Sequence, residues 1–237
     1  VDSSRVYNAA MIIVRGKQIA ESDAAAFAAM IARYDGVTVD VGAGDGRFVY
    51  RYALAHAGRF VIGIDPVAEN LRGLSAKAAR KPERGGLANV LYVVASIAHV
   101  PVELRSIADE IFVTLPWGSL MRGIILADDV VLVGLASLAR DGAALRIVLN
   151  TRIFDDPVPL DVRDLPDVTP DFVRETLAPA FARHGITITE TRFMDADEVA
   201  AIETTWAKRL SHRHPPRSVL IAAEVTGTTK NTKGHEG

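Results

Sequence analysis

Short runs of valine and isoleucine alternate with longer segments rich in alanine, leucine and arginine over the first 150 residues. Apolar runs of this length predict buried strands, and the intervening segments predict helices that cover a parallel sheet. The pattern therefore predicts an α/β fold. The predicted strands are Thr38 to Val41, Phe60 to Ile64, Val90 to Ala95, Glu110 to Leu115 and Ala144 to Leu149, and the predicted helices are Arg47 to Ala55, Ala68 to Arg80 and Asp128 to Ala139.

Beyond Asn150 the chain is first rich in proline and aspartate and then returns to regular patterns. Asp195 and Glu198 have the spacing of a capping box, which predicts the start of a helix. We expect one domain over residues 1–226, with 1–22 as a hairpin extension and 227–237 as a flexible tail. The other predicted elements are a hairpin of Met11 to Val14 with Gln18 to Ala20, a helix from Asp171 to His184, a strand from Ile186 to Phe193, a helix from Asp195 through Thr204 and Trp206 to Arg209, and a strand from Ser218 to Val225.

Composition excludes several classes of protein. With 237 residues, 49% hydrophobic residues and 24% charged residues, the chain is too apolar to be disordered. Its formal charge is -2, so any nucleic-acid site must be a local basic patch. The absence of cysteine excludes disulfides and thiol nucleophiles, and the six histidines lack the spacing of metal ligands. No apolar run approaches the roughly 18 residues of a membrane span, and we expect a cytoplasmic protein.

A glycine-rich turn follows the first predicted strand of the sheet, at Gly42, Gly44 and Gly46. A dinucleotide fingerprint would place its third glycine at position 47, which is Arg47, and no Gly-Lys-Ser/Thr sequence of a P-loop follows. Asp40 and the loop's own aspartate instead supply carboxylates, which repel phosphate and suit the ammonium group of an amino acid. S-adenosylmethionine (SAM) carries such a group and no phosphate.

Two further strand ends fit the same ligand. The second predicted strand ends in Asp65, 23 residues after Gly42, where a carboxylate can accept both ribose hydroxyls. The third ends near Ile97, against which an adenine would lie. Helix caps and strand ends also use aspartate, but the joint spacing favours SAM binding over that structural interpretation.

The chain has two tryptophans, and both are predicted near the cofactor. Trp117 follows the fourth predicted strand, and Trp206 lies in the segment before the last strand. Two aromatic faces over one cleft could hold a planar base, with each stack contributing about 1 to 3 kcal/mol. The alternative is that each indole fills the core.

Basic residues are concentrated in two segments, 71–86 and 206–218. We expect both to flank the cleft, as a groove for a phosphate backbone would require. The alternative is that each is merely a solvated face.

Several motifs together resemble one family closely, the aminoglycoside-resistance 16S rRNA (adenine(1408)-N1)-methyltransferases of the kanamycin-apramycin type. The similarity extends from about Met11 to Val225, and its later motifs are far more specific than the glycine turn. These motifs are Asp40-Val-Gly-Ala-Gly-Asp-Gly-Arg47, Ile64-Asp-Pro66, Asn70-Leu71, Ser75, Lys81-Pro82, Gly85-Gly86-Leu87, Pro116-Trp-Gly118 and Trp206-Ala-Lys-Arg-Leu210.

The resemblance implies a seven-stranded, Rossmann-like class I SAM-dependent methyltransferase fold with a helical insertion between strands 6 and 7. It implies methylation of N1 of adenine 1408 in the 30S subunit, a flipped adenine clamped by Trp117 and Trp206, and no bound metal. We expect a monomer, since no feature demands a partner chain. The residues implied to line the cofactor pocket are Asp40, Gly42, Ala43, Asp65, Pro66, Ser96, Ile97, Thr114, Ser119 and Thr204, and those implied to grip rRNA are Lys77, Arg80, Lys81, Arg209, Arg213 and Arg217.

Two positions depart from the family pattern. Ala98, followed by His99, stands where members carry a glutamate, and Ala76 replaces a second lysine beside Lys77. The first departure bears on the adenine pocket or on catalytic efficiency, and the second on affinity for rRNA.

Two other functions stay open on sequence alone. A methyltransferase that modifies an exocyclic amine usually carries Asn/Asp-Pro-Pro-aromatic after strand four, whereas Leu115-Pro116-Trp117 lacks the polar residue. An RNA-binding module that keeps the cofactor fold without turnover is the second alternative.

Overall fold

A computed structural model describes residues 10–151, 164–202 and 218–226. The strands in these ranges form one mixed sheet in the order β2-β1-β5-β4-β3-β6-β7-β9-β8. Strands β3 to β7 are mutually parallel, β1 is antiparallel to β5, and β9 is antiparallel to both β7 and β8. The strands are β1 (Ile12–Arg15), β2 (Gln18–Glu21), β3 (Gly36–Val41), β4 (Arg59–Asp65), β5 (Val90–Val94), β6 (Ala108–Thr114), β7 (Ala139–Asn150), β8 (Ile186–Met194) and β9 (Ser218–Val225).

The predicted α/β fold is confirmed, but the strand count differs from the expected seven. The N-terminal hairpin does not stand apart from the sheet, because Ile13 and Val14 pair with Val93 and Tyr92 of β5. The hairpin therefore extends the sheet, and the described residues contain nine strands.

The helices within the described residues include two that the sequence pattern did not predict. Helix α1 is a short alanine-rich segment capped by Asp23, whose carboxylate accepts a hydrogen bond from the Ala26 amide at 2.7 Å. Helix α4 begins directly after Trp117, in a Pro-Trp-Gly sequence that is typical of a loop. The helices are α1 (Ala24–Ile31), α2 (Arg47–Ala55), α3 (Ala68–Ala78), α4 (Gly118–Ile125), α5 (Asp129–Leu138), α6 (Pro170–Phe172) continued by a π-helical turn (Val173–Leu177) into α7 (Ala178–Ala182), and α8 (Ala196–Ala201).

The predicted capping box is present at the start of α8, where Asp195 and Glu198 exchange hydrogen bonds. Helix α8 ends at Ala201, and Ile202 has extended backbone angles. The remainder of the predicted helix, with Thr204, Trp206 and Arg209, lies outside the described residues, as does the predicted tail 227–237.

Two apolar layers cover the sheet. Helices α1, α4, α5 and α7 pack on one face around buried side chains such as Leu132 and Phe181. Helices α2 and α3 pack on the other, around Val49 and Leu71. Because β3 to β6 are parallel, their carboxyl ends meet at one edge of the sheet, which is where open α/β sheets bind their ligands. No helix in the described ranges is long and apolar enough to cross a membrane.

Candidate active site

A cavity of about 350 Å³ opens at the carboxyl edge of the sheet. Its floor comes from the ends of β3, β4 and β5, and its wall comes from α4 and the start of α5. The lining residues are Val41, Gly42, Ile64, Pro66, Ala95, Ser96, Ile97, Ala98, Ser119, Leu120, Arg122, Gly123, Leu126, Asp128, Val130 and Val131.

The glycine turn is held against β4 by backbone hydrogen bonds. The amides of Gly42 and Ala43 both donate to the Ile64 carbonyl at 2.9 Å. Gly42 has φ +77°, and a Cβ atom there would lie 2.7 Å from Cδ2 of Leu120. Gly44 has φ +54° with no atom within 4 Å of such a Cβ. The turn therefore has one glycine pressed against α4 and one that faces open space.

The Asp65 carboxylate organises this turn. Its Oδ2 accepts a hydrogen bond from the Gly44 amide at 2.9 Å, and its Oδ1 accepts from the amide of Val67 at 2.9 Å and the side-chain amide of Asn70 at 3.2 Å. A carboxylate offers about four acceptor positions, so at least one is left for a ligand hydroxyl. The residue expected to bind ribose thus also fixes the loop beside it.

Asp40 is the most perturbed acid at this edge. It lies at the end of β3 with only 3% of its surface exposed. Burial raises the pKa of its carboxyl to about 8, and repulsion from Asp65 acts in the same direction. A cation placed beside Asp40 would favour its ionised form, so this buried acid fits the ammonium group of SAM.

The cavity contains five of the predicted cofactor residues, which are Gly42, Pro66, Ser96, Ile97 and Ser119. Four other predicted residues lie at or next to the carboxyl ends of the strands but do not line the cavity: Asp40, Ala43, Asp65 and Thr114. Thr204 lies outside the described residues. The described residues contain no group of three or more histidine, aspartate or glutamate side chains placed to hold a metal ion.

Sequence reasoning missed the wall that α4 and α5 contribute. Leu120, Arg122, Leu126 and Asp128 line the cavity, yet the loop-like sequence before α4 hid that helix. Asp128 was detectable as a cap, since its carboxylate accepts hydrogen bonds from the Val130 and Val131 amides. Ala98 also lines the cavity.

Trp117 immediately precedes α4, the helix that forms part of the cavity wall. It occupies the N-cap position of α4 in extended conformation, two residues before Ser119, and 46% of its surface is exposed. It is therefore not a core filler. The preceding turn is tight, because Leu115 has φ +50°, a region that non-glycine residues rarely adopt.

A small apolar cluster links this turn to the end of α8. Leu115 and Val148 are each 8% exposed, and Met194, Ile202 and Leu220 pack against them. We name these five residues the Leu115 cluster. It joins the turn that carries Trp117 to the last described residue before the segment that contains Trp206.

An ion pair between Arg192 and Glu198 attaches the first turn of α8 to β8. The Arg192 guanidinium donates two hydrogen bonds to the Glu198 carboxylate, at 2.7 and 2.6 Å. These hydrogen bonds lower the pKa of Glu198 to about 2, with a smaller contribution from the Asp195 amide. Helix α8 is thus fixed to β8 at its first turn.

The described basic residues do not flank the cleft as expected. Helix α3 starts at the carboxyl edge and runs back along the sheet, and the Leu87 amide, just before β5, donates to the carbonyl of Ala78. Lys77, Arg80 and Lys81 therefore lie towards the opposite, amino edge. The Lys77 ammonium lies over the Tyr50 ring in a cation–π contact, with Nζ 4.3 Å from the ring centroid. Arg209, Arg213 and Arg217 lie outside the described residues.

Comparison with known proteins identifies the family. The family model NpmA, 16S rRNA (adenine(1408)-N(1))-methyltransferase, matches residues 12–225. A protein of that name from Streptoalloteichus hindustanus is 40% identical over 207 residues, covering 87% of this chain and 95% of the relative. The Escherichia coli protein of that name is 33% identical over 202 residues, covering 85% of this chain and 92% of the relative.

Solved structures agree with the sequence relatives. One is a tryptophan-to-alanine variant of the 16S rRNA (adenine(1408)-N(1))-methyltransferase from Catenulisporales acidiphilia, solved with the cosubstrate SAM. Its TM-score is 0.87 at 35% identity, and the match covers 93% of this chain and 99% of that chain. The 16S rRNA methyltransferase KamB has a TM-score of 0.84 at 36% identity, covering 91% and 100%. This chain belongs to the 16S rRNA (adenine(1408)-N(1))-methyltransferase family.

Proposed function

We propose that this chain transfers a methyl group from SAM to N1 of adenine 1408 in the 16S rRNA of the 30S subunit, and thereby confers aminoglycoside resistance. Family membership over residues 12–225 is the observation that carries the proposal. The enzyme would work as a monomer in the cytoplasm, where its ribosomal substrate is found.

The cavity supports SAM as the methyl donor. Bound SAM supplies a methyl group on a positively charged sulfonium. Asp40 would hold the amino-acid end, the free acceptor position of Asp65 would take the ribose, and Ile97 would contact the adenine. Ser96, Ser119 and Pro66 also line the cavity. Ala98 leaves the adenine end without the glutamate of the family pattern.

The chemistry demands positioning rather than proton transfer. Adenine N1 has a free lone pair, so its attack on the methyl group needs no general base. Trp117 and Trp206 would clamp the flipped base, offsetting an unstacking cost of a few kcal/mol. Methylation makes the ring cationic, which the same aromatic faces stabilise by about 0.5 to 2 kcal/mol.

The Leu115 cluster supports a common location for the two indoles. Trp117 is two residues from Leu115, and Trp206 is four residues from Ile202. A chain spans at most about 3.6 Å per residue, so these tethers are limited to about 7 Å and about 14 Å. The turn that carries Trp117 and the last described residue before Trp206 therefore share one apolar cluster.

The direct test is incubation of 30S subunits with SAM labelled in its methyl group, followed by mapping of the modified nucleotide. We expect label at N1 of adenine 1408. Label on an exocyclic amine, or RNA binding without label, would establish one of the two alternatives instead.

A Trp117→Ala variant tests the clamp in the same assay. We expect methylation to be lost while SAM affinity stays close to wild type, because the exposed indole is not among the residues that line the cavity. Trp117→Phe, which keeps an aromatic face, should retain part of the activity. Undiminished methylation by the alanine variant would refute this role.

A further inference from the structure

The tip of the N-terminal hairpin is fastened to helix α3 by three hydrogen bonds. The Gly16 amide donates to Oγ of Ser75 at 2.9 Å, and the Ser75 hydroxyl donates to the Val14 carbonyl at 2.7 Å. Ser75 is only 4% exposed. On the other side of the turn, Nη1 of Arg72 donates to the Lys17 carbonyl at 3.1 Å. The tip is therefore held on α3 from both sides of Gly16.

The same contacts place the hairpin's cations beside those of α3. Arg15 and Lys17 are both exposed. Because β1 runs antiparallel to β5, the tip lies at the amino edge of the sheet, the edge reached by the end of α3. We call this surface the hairpin–α3 surface; its cationic residues are Arg15, Lys17, Arg72, Lys77, Arg80, Lys81 and Arg84.

The charge of this surface is opposite to that of the whole chain. Its seven cations are accompanied in segments 15–17 and 68–84 by only two acids, Glu69 and Glu83, whereas the chain carries a formal charge of -2. Glu69 is paired with Arg72 at 2.9 Å, which leaves the hairpin tip and the end of α3 as the positive part. Clustered cations on a fixed backbone are suited to phosphate groups.

We infer that the hairpin tip is a second rRNA contact, in which Arg15 and Lys17 bind the phosphate backbone of 16S rRNA beside Lys77, Arg80 and Lys81. This inference rests on the proposed function and extends it. The tip is bonded to Ser75, which lies seven residues beyond the start of α3 at Ala68, so at 1.5 Å per residue it is displaced by about 10 Å along the helix from the cleft edge. It contributes to docking on the subunit and not to the methyl-transfer step.

The test is the salt dependence of binding to 30S subunits by the double variant Arg15→Ala/Lys17→Ala. The slope of log K against log salt should fall by about 0.7 to 0.9 for each phosphate that the variant no longer neutralises. SAM affinity and the rate at saturating 30S should match wild type. The matched control is Arg33→Ala/Arg183→Ala, which removes two exposed cations from helix ends on the opposite face of the sheet and should leave the slope unchanged.

A slope equal to that of wild type would overturn the inference, as would an equal fall in the control. A Lys17→Cys variant identifies the partner, since the chain has no other thiol. A photo-crosslinker attached there should form adducts with 16S rRNA, and adducts only with ribosomal proteins would refute the assignment. Failure of the wild-type protein to bind or methylate 30S would count against the proposed function instead.

Discussion

The Asp40→Asn variant should separate two effects of this acid: the pH-dependent loss of folding stability that its burial causes, and its contribution to SAM affinity. The pKa of the Asp40 carboxyl is raised from 3.8 to about 8, chiefly by burial. At pH 7 the Asp40 carboxyl of the free protein is therefore largely protonated. Asparagine has nearly the same shape as the protonated acid and stays neutral at every pH.

The raised pKa makes the free protein less stable as pH increases. Between pH 3.8 and about 8 the folded state keeps a proton that the unfolded state releases. The free energy of unfolding should accordingly fall by up to about 1.4 kcal/mol per pH unit within this window. Urea unfolding from pH 5 to pH 8 should show this decline in wild type and a much flatter dependence in Asp40→Asn.

SAM binding should reverse the protonation of Asp40. The ammonium group favours the carboxylate, so binding at pH 7 should release a proton from most Asp40 carboxyls. The ligand's own amino group, with an ordinary pKa of about 7.7 to 8.0, takes up about 0.1 to 0.2. Calorimetry in phosphate and in Tris measures the net release, because the two buffers differ in ionisation enthalpy.

The Asp40→Asn variant should bind SAM more weakly and release no proton. Wild-type binding with the same heat in both buffers would refute the assignment of the ammonium group to Asp40. Equal SAM affinity in the variant would do so as well.

Three further perturbations test the site. Gly42→Ala should weaken SAM binding, since the new methyl would meet the Leu120 side chain of the cavity wall at 2.7 Å, and its left-handed φ should lower the free energy of unfolding by about 1 to 2 kcal/mol. Gly44→Ala, with open space around it, should keep more of the SAM affinity. A bimane label on Trp117→Cys should be quenched by Trp206, and the signal should recover when Trp206→Phe is added; no recovery would contradict a facing pair. Ile202→Ala should lower kcat on 30S while leaving SAM affinity unchanged, and a variant with unaltered kcat would show that the Leu115 cluster does not position the clamp.

Much of the fold could be predicted because its central strands are uniformly apolar. Val39, Ile62 and Ile111 are completely buried, as parallel strands covered on both faces must be. The capping box at Asp195 was readable because both of its residues act within one helical turn. Such local signals need no knowledge of the tertiary structure.

What escaped prediction depends on contacts between distant segments. Helix α4 was hidden because its first residues follow a proline and include Gly118 at φ +58°. The basic residues after α3 were assigned to the cleft because their spacing does not reveal the helix's direction across the sheet. The raised pKa of Asp40 likewise arises from burial, which no motif encodes.

The placement of the hairpin has a consequence for how this molecule meets other copies of itself. By covering β5, it moves the outer border of the sheet to β2, a strand of only four residues that are all exposed and include Glu21. The far border, β8, has a shift in register between Ile188 and Glu190 and carries the paired charges of Arg192. Short, charged and irregular borders resist strand addition. Even at high concentration, neither border is a good template for sheet growth.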